Sequence, residues 1–288
     1  MIKDSESQAK CFAHLSFRLM NANWLQESKD QLSVTTLLRM NLRFALSLAC
    51  LGLTGPVVFA QPQKSFTVDE LVAKNIEAKG GADALRAIQS VRFSGKLLIP
   101  QIQLEFAFVQ IKKRPGEVRN EASIQGMTQV QACDGKEGWQ ISPFRGRRDP
   151  EKMSADDLKS LNEDAEIGGP LVDWKAKGSK VEYLGTEDVD GTAAHKLKVT
   201  RKNGDVSFVY LDPDAFLEIR VLTQRLEHGA QIEEEKDLGD YEKVNGVYFP
   251  FSIETGGKGD QEKAKITFDK AEANVPLDDA LFRFPAKG

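Results

Sequence analysis

Cysteine is scarce in this chain of 288 residues, which contains only Cys11, Cys50 and Cys133. Neither sign of charge dominates, because 39 Lys and Arg residues face 43 Asp and Glu residues, and the mean hydropathy is −0.38. These values exclude a disulfide-dense miniprotein and a polytopic membrane protein. They also lack the excess of basic residues that nucleic-acid binding requires, so no nucleic-acid partner is expected.

Long hydrophobic runs are also rare, and the one clear case covers residues 44–60. Arg39 and Arg43 precede this run, and small residues close it at Ala60, which is the order of a secretory signal peptide. We therefore predict a signal peptide over 40–60, with cleavage after Ala60 and export of the mature chain. The alternatives are a membrane anchor formed by residues 44–60 and a lipoprotein modified at Cys50.

The predicted domain organisation follows from this segment. Residues 1–39 precede the signal and carry neither strong periodicity nor a core pattern, so they are interpreted as an over-extended start or a non-structural leader. Residues 61–288 are predicted to form a single domain. With Cys133 as its one cysteine, that domain cannot form an internal disulfide and depends on its hydrophobic core.

Helical and strand patterns divide the predicted domain. Thr67 and Glu70 form a capping-box pattern that predicts a helix, and a Gly-Gly pair predicts its end. Further short helices are predicted over 82–88 and 154–164. From Ser90 onward, apolar residues alternate with polar ones between tight turns of the Asp-Gly and Asn-Gly type. The pattern predicts a mainly β (α+β) fold with about eleven antiparallel strands, and it excludes a parallel sheet.

Catalytic and metal-binding motifs are not found. His195 and His228 have no second histidine or cysteine at metal-ligand spacing, and no sequence feature places a histidine beside Cys133. No catalytic residue, metal site or cofactor is therefore predicted. The protein is expected not to be an enzyme.

The sequence has three runs of charge, and the two basic runs have alternative interpretations. The basic residues at 112–114 and 145–148 are interpreted either as solvated turns or as a rim that attracts anionic head groups or an acidic partner. The acidic run at 233–235 is interpreted as one exposed strand face with an edge residue.

Aromatic and aliphatic residues at alternating strand positions are the most informative group. A sheet of about eleven strands tends to curl, and its concave face needs a cover. These side chains either fill that core or line an apolar pocket suited to an acyl chain. The candidate ligand-binding residues are Phe93, Leu97, Leu104, Phe106, Phe108, Trp139, Ile141, Phe208, Tyr210, Ile219, Phe249, Phe251 and Phe268.

Several stretches resemble one known family, the outer-membrane lipoprotein-sorting (LolA/LolB-like) proteins of the bacterial periplasm. The stretches that carry the resemblance are 70–97 (ELVAKNIEAKGGADALRAIQSVRFSGKL), 134–144, 149–154, 169–174, 210–213 and 245–250. The resemblance implies an unclosed antiparallel β-barrel of about eleven strands around a few short helices, with an apolar cavity for acyl chains.

The function implied by this resemblance is that of a non-catalytic, monomeric periplasmic carrier or binding protein for lipids or acylated lipoproteins. Its partners would be acyl chains, an inner-membrane donor and an outer-membrane acceptor. One alternative is a protein-interaction module of the same fold, with a filled core and a role in envelope assembly. Another is an envelope hydrolase, which would need a buried acid or histidine pair in the cavity.

Overall fold

The computed structural model describes residues 66–285, and from Thr67 onward these residues belong to one compact unit. The predicted leader at 1–39, the signal peptide at 40–60, the alternative anchor at 44–60 and Cys50 lie outside the described residues. Within the described range, no helix is both long enough and apolar enough to cross a membrane.

Within residues 66–285, three α-helices and thirteen β-strands form the fold. The helices are α1 (Val68–Ala78), α2 (Ala82–Ala87) and α3 (Asp157–Asp164). The first six strands are β1 (Ser90–Ile99), β2 (Leu104–Lys113), β3 (Glu117–Ile124), β4 (Met127–Cys133), β5 (Gly138–Ser142) and β6 (Arg147–Lys152). The other seven are β7 (Lys180–Val189), β8 (Thr192–Thr200), β9 (Val206–Leu211), β10 (Glu218–Glu227), β11 (Ala230–Val244), β12 (Val247–Gly257) and β13 (Ala264–Ala273). Short 3-10 helices cover Pro100–Ile102, Pro143–Arg145 and Asp279–Leu281.

All thirteen strands belong to one antiparallel sheet, in the order β6-β5-β4-β3-β2-β1-β13-β12-β11-β10-β9-β8-β7. Strands β1–β6 form one meander and strands β7–β13 form a second. The ladder between β1 and β13 joins the two. Strands β6 and β7 remain as edges that do not pair with each other, so the sheet is not closed. The predicted fold class, an unclosed antiparallel barrel around a few short helices, is confirmed.

The sheet has more strands than the approximate number expected, and β6 is a strand that the sequence pattern did not indicate. This strand contains Pro150, which has no N–H group to donate to a ladder and therefore argues against a central strand. The structure accommodates Pro150 because β6 is an edge strand, where one side needs no hydrogen-bonding partner.

Helix α1 begins where the sequence predicted. The Thr67 hydroxyl accepts a hydrogen bond from the Glu70 backbone N–H, and the Glu70 carboxylate accepts one from the Thr67 N–H at 2.8 Å. At the other end of α1, the Lys79 ammonium is buried, forms an ion pair with Glu218 and donates to the Gly168 carbonyl at 2.8 Å. This internal ion pair connects the end of α1 to strand β10.

The ladder between β1 and β13 contains a close approach of two backbones. Its register shifts between Ser94 and Gly95, and a β-carbon at Gly95 would lie 2.6 Å from the Phe268 Cα and closer still to the Thr267 carbonyl oxygen. Only glycine fits at this position without moving β13. Because β1–β13 is the ladder that joins the two meanders, a displacement there affects the whole sheet.

We predict that Gly95→Ala destabilises the protein by about 1–3 kcal/mol, the usual cost of overpacking a filled site. The matched control is Gly239→Ala on β11, where an added β-carbon meets no atom within 4 Å. The control should change stability by less than about 1 kcal/mol, in the stabilising direction. Urea unfolding of both variants provides the measurement, and equal midpoints for the two would contradict the proposed close packing.

Candidate functional site

The sheet has two faces with different surroundings. We call the face that packs against the helices the inner face and the opposite one the outer face. On the inner face, five phenyl rings from four neighbouring strands form one cluster with Leu85 and Ile88 from the α2 region and with Ile167 and Val172 from the segment after α3. The rings are those of Phe93, Phe108, Phe249, Phe251 and Phe268.

These rings contact one another closely. The Phe93 and Phe268 ring centroids are 4.7 Å apart, and Phe93 also meets Phe249 edge to face at 5.5 Å. Each of the five side chains is at least nine-tenths buried. This part of the inner face is therefore a filled core, as the alternative interpretation of the aromatic pattern predicted.

A second inner cluster lies toward the other end of β1 and β2. Phe106 packs edge to face against Phe144 of the second 3-10 helix, with ring centroids 5.6 Å apart, and Ile99 is buried beside them. Leu97 and Leu104 pack against this cluster but are only partly buried.

A row of partly buried aliphatic side chains extends from Leu97 across the inner face. In the ladders, Leu97 lies opposite Ile266, Ile266 opposite Ile253, and Ile253 opposite Leu238. We call these four residues the aliphatic row. It crosses strands β1, β13, β12 and β11, and neighbouring strands are about 4.8 Å apart, so it is about 14 Å long. Each of its members keeps some exposed surface, unlike the phenyl rings.

Eight of the thirteen predicted lining residues lie on the inner face. They are Phe93, Leu97, Leu104, Phe106, Phe108, Phe249, Phe251 and Phe268. Their side chains share this face because they occupy alternate positions on neighbouring strands in matching register. The structure therefore brings these eight together, whereas contact with a ligand stays a prediction for each of them.

The other five lie on the outer face, where a ligand inside the barrel would not contact them. Trp139 and Ile141 pack with Val130 and Ala132, and Phe208, Tyr210 and Ile219 pack with Val189, Ala194 and Leu222. Alternation within a strand separates two faces, but it does not say which is the inner one. Burial does not distinguish the inner face from the outer one either, because other parts of the chain cover some residues on both faces.

Two different covers bury these outer residues. The C-terminal segment crosses over Trp139, whose indole N–H donates to the Phe282 carbonyl at 3.0 Å. Over the second group, the Lys196 ammonium lies 4.8 Å from the Phe208 ring centroid and 5.2 Å from that of Tyr210. A long charged side chain can thus shield aromatic surface from water while its ammonium pairs with a carboxylate, here that of Glu187 at 2.6 Å.

Beside the apolar clusters, the inner face carries a belt of charged residues that the sequence analysis did not anticipate. At its centre is Arg225 of β10, whose side chain is 3% exposed. Its guanidinium donates to Glu227, lies 2.7 Å from the Glu234 carboxylate and 3.9 Å from the Glu163 carboxylate of α3. Glu234 also accepts from the Thr255 hydroxyl at 3.1 Å.

The belt continues to both walls of the barrel. The Lys236 ammonium of β11 lies 2.9 Å from the Asp164 carboxylate at the end of α3, and Asn120 of β3 donates to the same carboxylate at 3.4 Å. Glu166, just after α3, pairs with Arg201 and with Lys177. We call these residues together the charged belt: Glu163, Asp164, Glu166, Lys177, Arg201, Arg225, Glu227, Glu234 and Lys236.

The charged belt holds two carboxyl groups with opposite pKa shifts. Burial raises the pKa of Glu163 to about 7, although Arg225 and Lys236 act against the shift. Burial also acts to raise the pKa of Glu234, but Lys236 and Arg225 outweigh it and lower the pKa to about 2. The difference follows from contacts, because one Glu163 oxygen has no hydrogen-bonding partner whereas Glu234 is bound on several sides.

One sequence signal could have indicated this belt. On β11, Glu234 and Lys236 share one face with Ile232 and Leu238, whereas Glu235 faces the other way. An alternation that mixes acidic, basic and aliphatic residues on the same face is typical of an interior ion pair as much as of a solvated face. The sequence alone offered no partner for either charge, and the partners come from α3 and β10, which are distant in the chain.

The histidines and the described cysteine have structural surroundings. His195 is buried, its Nδ1 lies 3.0 Å from the Tyr183 hydroxyl, and burial lowers its pKa. His228 is exposed, and its hydrogen bond to Asp157 raises its pKa. Burial raises the pKa of the Cys133 thiol, which disfavours the reactive thiolate. Over residues 66–285, no group of three or more His, Cys, Asp or Glu side chains is arranged to hold a metal ion.

Solved structures with a similar fold include two that match most of the described range. A DUF1329 family protein from Desulfovibrio piger has a TM-score of 0.52 at 14% identity, over 75% of this chain and 97% of its own. A LolA superfamily protein from Nitrosomonas europaea has a TM-score of 0.50 at 12% identity, over 76% and 98% of the two chains. No protein-family model and no curated protein sequence matches the chain.

At these identities the likeness establishes the fold alone. The chain has a LolA-like fold, so the family resemblance indicated by the sequence motifs is confirmed at the level of the fold. The activity and the ligand do not follow from the fold, since one fold can serve unrelated functions.

We predict that burial of Glu163 makes the stability pH-dependent. A carboxyl whose pKa is raised in the folded state binds its proton more tightly there, so its contribution is complete below pH 4.5 and is lost as the pH rises to about 7. The loss amounts to at most about 3 kcal/mol. Glu163→Gln removes it, because glutamine resembles the protonated form.

Urea unfolding at about pH 5 and about pH 8 measures this effect. The wild type should lose more stability than Glu163→Gln between the two conditions. The control Glu182→Gln alters an exposed carboxylate on β7 and should follow the wild type. Parallel losses in the wild type and in Glu163→Gln would mean that another group carries the pH dependence.

Proposed function

We propose that the protein is a non-catalytic carrier or binding protein for lipids or acylated lipoproteins, and that it works in the periplasm after export. The observation that carries the proposal is the aliphatic row, a line of partly buried apolar side chains on the inner face of an open barrel. The filled phenyl cluster beside it is closed to a ligand, whereas the row, like the neighbouring Leu104, keeps some apolar surface exposed.

The energetics favour an acyl chain as the occupant. Burying one methylene group is worth about 0.8 kcal/mol, so about twelve buried carbons would contribute on the order of 10 kcal/mol before the costs of association. Such a ligand needs no directional partner along its length, which suits a row without polar groups. Export, an inner-membrane donor and an outer-membrane acceptor belong to the same proposal, and they are supported by the predicted signal peptide and the LolA-like fold.

A protein-interaction module of the same fold is the principal alternative. The phenyl cluster favours it, because a barrel whose floor is filled by its own side chains needs no ligand to complete the core. In that case the aliphatic row would be covered by a protein segment. An empty barrel in the isolated protein, combined with no affinity for acyl chains, would support this alternative.

A hydrolase has one observation in its favour. Glu163 and Glu234 lie beside the same guanidinium and their pKa values are about 7 and about 2, the kind of separation that assigns a general acid and a general base. Interior ion pairs produce the same shifts without catalysis. We favour the second explanation, because both carboxylates are directed at Arg225.

Adjacent residues on β1 provide a matched test of the carrier proposal. Leu97 is partly buried on the inner face, whereas Leu98 is exposed on the outer face. We expect Leu97→Gln to weaken binding of a fluorescent fatty-acyl probe by roughly tenfold, because it places an amide in the apolar row. Leu98→Gln should leave the affinity unchanged. Circular dichroism and the thermal midpoint verify that both variants fold, and Leu238→Gln replaces Leu97→Gln if that variant does not.

Solvent extraction and mass spectrometry of the purified wild-type protein complete the experiment. A lipid or acylated peptide at about one equivalent would support the carrier and give the class of its cargo. A folded wild type that contains no lipid and binds no acyl probe would overturn the proposal in favour of the interaction module. Equal losses in Leu97→Gln and Leu98→Gln would show that the probe binds elsewhere.

A further inference from the structure

The three residues of the basic run at 112–114 have three different environments in the structure. Lys113 pairs with Glu117 at 3.0 Å and with Asp279. Arg114 donates to the Ile88 carbonyl at 3.0 Å and to the Leu85 carbonyl at 3.2 Å. Lys112 has no hydrogen bond and no ion pair with any residue in the described part of the chain. Of the buried and partly buried lysines and arginines between residues 66 and 285, it is the one without any partner.

The neighbours of Lys112 on the sheet are apolar. In the ladders it lies opposite Val91 of β1 and Val118 of β3, and both valines are fully buried. Its side chain therefore rises from the inner face between two apolar clusters. Burial lowers the pKa of Lys112, yet the side chain is only partly buried. Lys112 is therefore a partly buried cation on the inner face, with an apolar neighbour in each adjacent strand.

The nearest charges do not neutralise Lys112. The groups that act on it are Asp164, Lys236 and Glu166. Asp164 is bound by Lys236 and Asn120, and Glu166 is bound by Arg201 and Lys177. Each of these carboxylates therefore already has its own counter-charges.

The charged belt by itself has five carboxylates and four cationic side chains. With Lys112 included, five cationic side chains face the five carboxylates of the charged belt. Burial keeps one of these carboxyls, that of Glu163, partly protonated near neutral pH. With Glu163 partly protonated, the carboxylates of the belt do not outnumber its cations once Lys112 is included.

We infer that Lys112 is the head-group site of the ligand, and that the ligand is an amphiphile with one anionic group, a carboxylate or a phosphate, on an acyl chain. The inference rests on the proposed function and makes it more specific. On strand β2, Lys112 and Gln110 lie at one end of the inner face, and Phe106 and Leu104, which pack beside Leu97 of the aliphatic row, lie at the other. A lysine ammonium is a point charge that accepts either anion, so the structure selects the charge rather than the geometry of the head group.

Competition against a fluorescent fatty-acyl probe tests this inference with three ligands of equal chain length: dodecanoate, dodecyl phosphate and dodecanol. The wild type should bind the two anions at least tenfold more tightly than the alcohol. Lys112→Met should remove this preference and retain affinity for dodecanol. The control Lys96→Met alters an exposed lysine that pairs with Glu105 away from the inner face, and it should keep the preference.

The stability of the variants provides a second measurement. An ammonium without a partner between two buried valines is unfavourable, so Lys112→Met should raise the thermal midpoint. Lys236→Met, which breaks an ion pair, should lower it.

Each of four results would overturn one proposal or the other. Equal affinity of the wild type for anions and alcohol, or an undiminished preference in Lys112→Met, would refute the head-group site and leave the carrier proposal intact. Failure of the wild type to bind any of the three ligands would refute both. A preference for only one of the two anions would mean that the site selects its ligand by the geometry of the head group as well as by its charge.

Discussion

The ladder between β1 and β13 is the constraint on which the rest of the structure depends. Each meander by itself would be an open, twisted sheet with one apolar face uncovered. Pairing the first strand with the last brings Phe93 and Phe268 into contact, although 175 residues separate them in the sequence. The phenyl cluster and the aliphatic row both cross this ladder. The small size of Gly95 is therefore a requirement of the whole inner face and not only of one bulge.

Much of the fold could be predicted from the sequence because its signals are local. The capping box at Thr67, the period of two after Ser90 and the Gly-containing turns each depend on a few neighbouring residues, and the structure contains all of them. The faces of the strands could not be assigned in this way. Whether Phe208 or Val209 points inward depends on the register of every ladder between β9 and the helices. The sequence alone therefore placed Tyr210 and Trp139 together with Phe251.

The charged belt was beyond sequence reasoning for a related physical cause. A lysine or glutamate on a strand is expected in water unless a partner is known, because burial of an isolated charge is very unfavourable. Here Lys236 finds Asp164, and Arg225 finds Glu234 and Glu163, through contacts between β10, β11 and α3. These ion pairs offset the cost of burying the charges. Lys112 has no such partner in the described part of the chain, which is why an anion from outside the protein is proposed as its partner.

The contacts of α3 differ on its two sides, and this difference has a mechanical consequence. Toward β3 and β4 the helix makes apolar contacts, with Leu161 against Val118 and Cys133. Toward β10 and β11 it is held by the ion pairs of the charged belt, and at its start by His228. Water and salt compete with ion pairs but strengthen apolar association or leave it unchanged. If α3 moves to admit a ligand, the β10–β11 side should therefore separate first while the apolar side acts as the hinge. Arg225 would keep Glu227 and Glu234, and Lys236 would keep Glu234, so the charges that belong to the sheet remain paired when the helix moves.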